Sequence, residues 1–146
     1  MNKRYVTKNS EETEEIGALL ACELSNCGVR RAFIALSGDV GVGKTVFTRG
    51  FARYFGISGV KSPTYTIVNE HHGKNDIYHF DLYRITDEDD LYSIGFDEYI
   101  ERDGFSVVEW SERLEGNLPH GAISVCISKT DDCPDERIIE ITKVEE

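Results

Sequence analysis

Apolar positions along the chain change period several times, and each change marks an element. Tyr5-Val6-Thr7 predicts a short first strand. Ile16, Leu19, Leu20 and Leu24 then recur at helical spacing, with Ser10 where an N-cap belongs, Glu11 and Glu12 at the positive end of the macrodipole, and Gly28 as the stop. Residues 32–36 are an almost unbroken apolar run, as expected of a strand buried on both faces in a parallel sheet. Phe47, Phe51 and Phe55 repeat every fourth position up to Gly56, which predicts a helix with Arg49 and Arg53 on its solvated side. Residues 62–68 are β-rich and opened by Pro63; the turn-like segment 72–76 links them to 77–83, so a hairpin is expected. Residues 87–101 suggest one or two short helices broken near Gly95. A buried strand at 105–110, a short helix from Ser111, and strands at 122–127 and 137–142 complete the pattern. Alternating strands and helices with a hairpin insertion imply a three-layer α/β domain around a mixed, mostly parallel sheet.

The 146 residues, 40% of them hydrophobic, suit one domain spanning 1–146. No apolar run approaches the length of a membrane span and no signal-peptide core follows Met1, so a soluble, cytoplasmic protein is expected. Cys22, Cys27, Cys126 and Cys133 lack metal-ligand spacing and read as reduced thiols. The net charge of −11 argues against a protein that grips nucleic acid by itself. Its distribution is uneven. Residues 30–61 carry six basic residues against one acid, and residues 81–115 carry twelve acids against three arginines. That asymmetry fits an anionic ligand on one side and a basic partner, or simply solvent, on the other.

Gly38-Asp39-Val40-Gly41-Val42-Gly43-Lys44-Thr45 matches the phosphate-cradling pattern G-x-x-x-x-G-K-[ST], with a strand before it and a helix after it. Glycines let backbone N–H groups approach nucleotide phosphates closely; Lys44 would reach the β/γ-phosphates and the Thr45 hydroxyl a Mg²⁺ ion. Hydrolysis also requires an acid at the metal and a group that orients water. Asp81 and Glu109 each close an apolar strand, where ligands of open α/β sheets bind. Either can share these roles or be a strand-end carboxylate facing solvent. Thr64 follows Pro63 in a segment able to lie over a γ-phosphate. His79 reads as a packed or hydrogen-bonded core residue, and Trp110 as core or interface. Ser128-Lys129-Thr130-Asp131 is similar to the guanine-reading element of GTPases. Asp81-Leu82-Tyr83-Arg84, however, lacks the glycine of the GTPase D-x-x-G, so a GTPase ranks second. A nucleotide-dependent binding module with negligible turnover is a third reading. A small-molecule kinase would need an acceptor pocket that the sequence does not identify.

Taken with Ser62-Pro63-Thr64-Tyr65-Thr66, His79-Phe80-Asp81-Leu82-Tyr83-Arg84, Gly95-Phe96-Asp97-Glu98-Tyr99 and Glu109-Trp110, the phosphate loop makes nearly the whole chain resemble the TsaE (YjeE) family, small P-loop ATPases of threonylcarbamoyladenosine tRNA modification. The resemblance implies a P-loop NTPase-like fold and Mg-ATP at residues 38–45. Thr45 and Glu109 would be metal ligands, Asp81 the Walker B-like acid, and Thr64 part of a switch-like loop. It also implies contacts to the nucleotide near Ser10 and from an arginine late in the chain, Arg137. The implied partners are a TsaD-type catalytic subunit and a TsaB-type scaffold, reset by ATP hydrolysis, with tRNA met only through the complex. One departure is His71-His72, where the family often has an aromatic residue; it puts the local hairpin in question.

Overall fold

The computed structural model describes residues 2–38, 42–60, 68–82, 95–111, 118–119 and 121–143. Strand β1 (Asn2–Thr7) leads into α1 (Ser10–Asn26), β2 (Arg31–Ser37) and α2 (Lys44–Tyr54). The hairpin β3 (Val68–His71) and β4 (Ile77–Asp81) follows, then α3 (Phe96–Glu101), β5 (Gly104–Glu109), β6 (Ile123–Lys129) and β7 (Arg137–Lys143).

The strands form one seven-stranded sheet in the order β1-β7-β6-β2-β5-β4-β3. Strands β6, β2, β5 and β4 are mutually parallel, and antiparallel partners flank them at both ends. The sheet is therefore mixed, with its parallel part confined to the centre. The apolar run in β2 sits between two parallel neighbours, and Ile34, Ala35 and Leu36 are fully buried. One face of the sheet presents Ile34, Leu36, Phe105 and Val107 to α1 and α2; the other presents Phe33, Ala35, Phe80 and Val108 to Phe96 of α3. Phe96 meets Phe33 and Phe80 edge-on, at centroid distances of 6.0 and 5.1 Å. The predicted three layers are present.

Helices α1 and α2 pack unusually close because each offers a glycine to the other's backbone. A Cβ on Gly17 would lie 2.1 Å from the Phe47 carbonyl oxygen, and one on Gly50 would lie 1.8 Å from that of Glu14. Arg53 secures the crossing, with its guanidinium 2.5 Å from Glu14 and 2.9 Å from Glu15. Arg53 thus differs from the simple solvated residue its position on the helix predicts. Arg49 likewise donates from Nε to the Val60 carbonyl, at 3.1 Å.

Three other expectations shift. The N-cap of α1 is Asn9, not Ser10: Asn9 is extended, and its side-chain oxygen accepts from the Glu12 N–H at 2.9 Å. Asparagine and serine cap comparably well, so sequence pattern alone does not separate adjacent candidates. The first hairpin strand begins at Val68, and the expected strand at 62–67 lies outside the described residues. So do Asp39, Val40, Gly41, Thr64, the helix expected across 87–94 and the segment after Ser111 to 117. The hairpin itself forms despite His71-His72; His72 Nδ1 lies 3.0 Å from Asp76 across its turn.

No helix among the described residues is long and apolar enough to cross a membrane.

Candidate nucleotide-binding site

The parallel register aligns the carboxyl ends of three strands. Leu36 of β2 pairs with Glu109 of β5, and Glu109 with Asp81 of β4. Strand β2 therefore ends level with both strand-end acids, beside Glu109 and one strand further from Asp81. Ser111 ties this edge together by donating to the Leu36 carbonyl at 3.0 Å, and the Leu82 N–H donates to the Glu109 carbonyl at 3.1 Å.

Gly43 precedes α2 with φ +109°, a conformation that side chains other than glycine rarely adopt, and supplies no side-chain cap to the helix. No acidic residue occupies the first turn of α2. The positive end of that helix is thus arranged for an anionic ligand. A Cβ at Gly38 would fall 2.3 Å from the Ile127 carbonyl, so the loop starts pressed against β6. On its other side, Thr13 of α1 lies 3.6 Å from the position of a Gly43 Cβ. Ser10 is exposed, one helical turn before Thr13, which places the start of α1 beside the loop. Arg137, the first residue of β7, donates from Nε to the Val42 carbonyl at 2.9 Å, and from Nη1 to Pro134 and Glu136 carbonyls at 2.7 and 2.8 Å. Arg137 thus touches the loop at Val42, and Ser10 stands one helical turn before Thr13, which faces Gly43.

Lys44 is only 5% exposed. Its ammonium donates to the Gly38 carbonyl at 2.6 Å and lies 3.4 Å from the centroid of the Trp110 ring. A carbonyl dipole and an aromatic face together offset the desolvation of a buried cation. Trp110 has φ +62°, the sole positive-φ residue other than glycine among those described. Such a conformation costs about 1–3 kcal/mol and concentrates at functional sites. Trp110 packs against the cluster on the face opposite Glu109, as alternation along β5 predicts and as a core reading expects, and its ring also meets Lys44, a contact that nothing in the sequence signals.

The Thr45 hydroxyl lies 3.2 and 3.3 Å from the two carboxylate oxygens of Glu109. Glu109 is 3% exposed, and its Oε2 also accepts a hydrogen bond from His79 Nε2. Asp81 is half-buried on the same face, two residues beyond His79. His79 is fully buried and hydrogen-bonded, as expected, and its partner is Glu109. Strand periodicity held the signal, since His79 and Asp81 at i and i+2 must share a face. Further along that face, burial above all, and then the neighbouring His79 and His72, lower the His71 pKa below its ordinary 6.5.

Ser128 and Lys129, the start of the GTPase-like tetrapeptide, lie within the β6–β7 ladder opposite Ile138 and Arg137. Thr130 donates to the Cys133 carbonyl at 3.3 Å inside the connecting turn.

Comparison with known proteins gives one answer. The family model described as threonylcarbamoyl adenosine biosynthesis protein TsaE matches residues 7–139. The tRNA threonylcarbamoyladenosine biosynthesis protein TsaE of Bacillus subtilis is 40% identical over 143 residues, covering 97% of this chain and 85% of the relative. Its Haemophilus influenzae counterpart is 44% identical over 114 residues, covering 76% and 72%. The crystal structure of Bacillus subtilis YdiB superimposes with a TM-score of 0.78 at 34% identity, covering 99% of this chain and 86% of that one. Because the family model spans the sheet from the end of β1 into β7, with the phosphate loop and both strand-end acids inside it, the chain belongs to the TsaE family of tRNA threonylcarbamoyladenosine biosynthesis.

Proposed function

We propose that this protein is a Mg²⁺-dependent ATPase of tRNA threonylcarbamoyladenosine modification, whose hydrolysis step resets a complex of a TsaD-type catalytic subunit and a TsaB-type scaffold. The observation that carries the reading is the convergence of Lys44, Thr45, Glu109 and Asp81 at one edge of the sheet. Residues 1–146 act as one ATPase domain in the cytoplasm, and tRNA is met through the complex.

A divalent cation fits the donor set. A hydroxyl and a buried carboxylate are hard oxygen ligands, and Mg²⁺ prefers such donors together with phosphate oxygens. When bound, the ion would neutralise charge on the β- and γ-phosphates. Thr45 and Glu109 would hold it, while Asp81, beside Glu109 in register, positions or deprotonates the attacking water. Lys44 exchanges the Gly38 carbonyl for phosphate oxygens. Asp39, Val40, Gly41, Val42 and Gly43 supply backbone N–H groups to the phosphates. Ser10 and Arg137 flank the nucleotide from α1 and β7, and Thr64 senses the γ-phosphate.

Titration calorimetry with ATP and GTP tests the nucleotide assignment: ATP or ADP binds, and Lys44→Ala abolishes binding. A preference for GTP overturns it. Phosphate release measured with the TsaB- and TsaD-type proteins tests the rest; Glu109→Ala and Asp81→Ala should abolish turnover. Failure of the three proteins to associate in the presence of nucleotide removes the partner assignment.

A further inference from the structure

His79 is a fully buried imidazole on the face of β4 that meets α2. Its Nε2 is bonded to Glu109 Oε2, and its Nδ1 has no hydrogen-bond partner among the described residues. Such an orphaned nitrogen burdens the fold, and a leucine of similar volume in its place would carry no such burden. The one polar contact this ring makes among the described residues is therefore the feature to explain, and it falls on the buried carboxylate that also faces the Thr45 hydroxyl.

An ionised carboxylate can only accept hydrogen bonds, so Nε2 is the donor and Glu109 Oε2 is held from the β4 side. Thr45 approaches from the start of α2, 3.2 Å from Oε1 and 3.3 Å from Oε2. With Oε2 fixed, the carboxylate cannot rotate about its terminal torsion, which is otherwise broad for glutamate. We propose that His79 is a positioning residue for the nucleotide site: by holding Oε2 it locks Glu109 so that Oε1, the oxygen it leaves unengaged, is the one offered to a divalent cation. Outer-shell partners of this kind orient ligands and tune metal affinity in other sites. The inference rests on the reading of Glu109 as a metal ligand.

The test measures Mn²⁺ binding to the full chain saturated with ADP, by the paramagnetic resonance signal of free Mn²⁺, alongside ADP affinity in excess chelator. Four variants are compared: Glu109→Gln, His79→Leu, His79→Gln and His79→Asn. Glutamine reaches the Nε2 position with an N–H donor, whereas asparagine stops one carbon short. His79→Leu and His79→Asn should weaken Mn²⁺ binding about 10–100-fold, and His79→Gln should stay within a few-fold of the parent. ADP affinity in chelator should be unchanged in the three His79 variants. The inference is overturned if His79→Leu binds Mn²⁺ like the parent, or if His79→Gln is no better than His79→Asn. The second comparison decides alone if His79→Leu does not fold. Unchanged Mn²⁺ affinity in Glu109→Gln instead overturns the underlying reading of the site; loss there with normal binding in His79→Leu overturns only the role of His79.

Discussion

The Thr45 hydroxyl and the Glu109 carboxylate, 64 positions apart in the chain, lie within 3.2 and 3.3 Å of each other at both oxygens. On the proposed reading both groups hold the cation, and loss even of a residue that only orients a metal ligand costs about 10–100-fold in metal affinity. Thr45→Ala should therefore weaken Mg²⁺-dependent ATP binding by at least about tenfold. Thr45→Ser, which keeps the hydroxyl, should retain most of it. Calorimetry with and without chelator checks the outcome, because the metal-free affinities of the two variants should agree.

Trp110 is the sole tryptophan, and the Lys44 ammonium rests on its ring. Recruitment of Lys44 to phosphate oxygens removes a cation from the indole face. Intrinsic fluorescence should therefore change on adding ADP, saturably and with the calorimetric affinity. In Lys44→Ala the starting spectrum should already differ, and ADP should leave it unchanged.

Gly50 has no room for a side chain, since its Cβ would sit 1.8 Å from the backbone oxygen of Glu14. Relief requires α1 and α2 to move apart, and overpacking of this kind typically costs about 1–3 kcal/mol. Gly50→Ala should lower the melting temperature by roughly 2–4 °C for each kcal/mol in a chain of this size. Because α2 begins at Lys44, nucleotide affinity should fall as well. A thermal melt at unchanged or higher temperature would mean that the helices are not interlocked at this point.

His71 carries a lowered pKa, chiefly through burial. The folded chain therefore binds fewer protons there than the unfolded chain around the ordinary imidazole value of 6.5. The stability gained by keeping this ring neutral is complete above the unfolded value and is lost as pH falls through the folded one. Between about pH 7.5 and 5, His71→Gln should lose less melting temperature than the parent chain. An equal loss in both would show that His71 does not contribute.

The phosphate loop, the strand before it and the helix after it were legible because glycine spacing and apolar periodicity are local properties. Asp81 and Glu109 were legible as strand ends, and the parallel register supplied what pattern cannot, the fact that both end at the same level as Leu36. The partner of His79 was within reach of period-two reasoning, but only once Asp81 had been assigned a face. Other features were beyond local reasoning. The contact of Trp110 with Lys44 joins residues far apart in the chain, and the contacts of Gly17 and Gly50 depend on how two helices cross. Asn9 displaced Ser10 as cap because two competent residues are adjacent and only backbone geometry chooses between them.

The shared level at which β2, β5 and β4 end also governs when the site comes into being during folding. Lys44 and Thr45 belong to an early stretch of chain, but Glu109 joins them only when β5 has inserted between β2 and β4. Closing so long a loop is entropically slow, and no nascent fragment ending before Gly104 contains this constellation. On the proposed reading, nucleotide binding belongs to the assembled sheet. Ligand added during refolding should leave the rate of sheet formation unchanged and, by mass action, slow its subsequent unfolding.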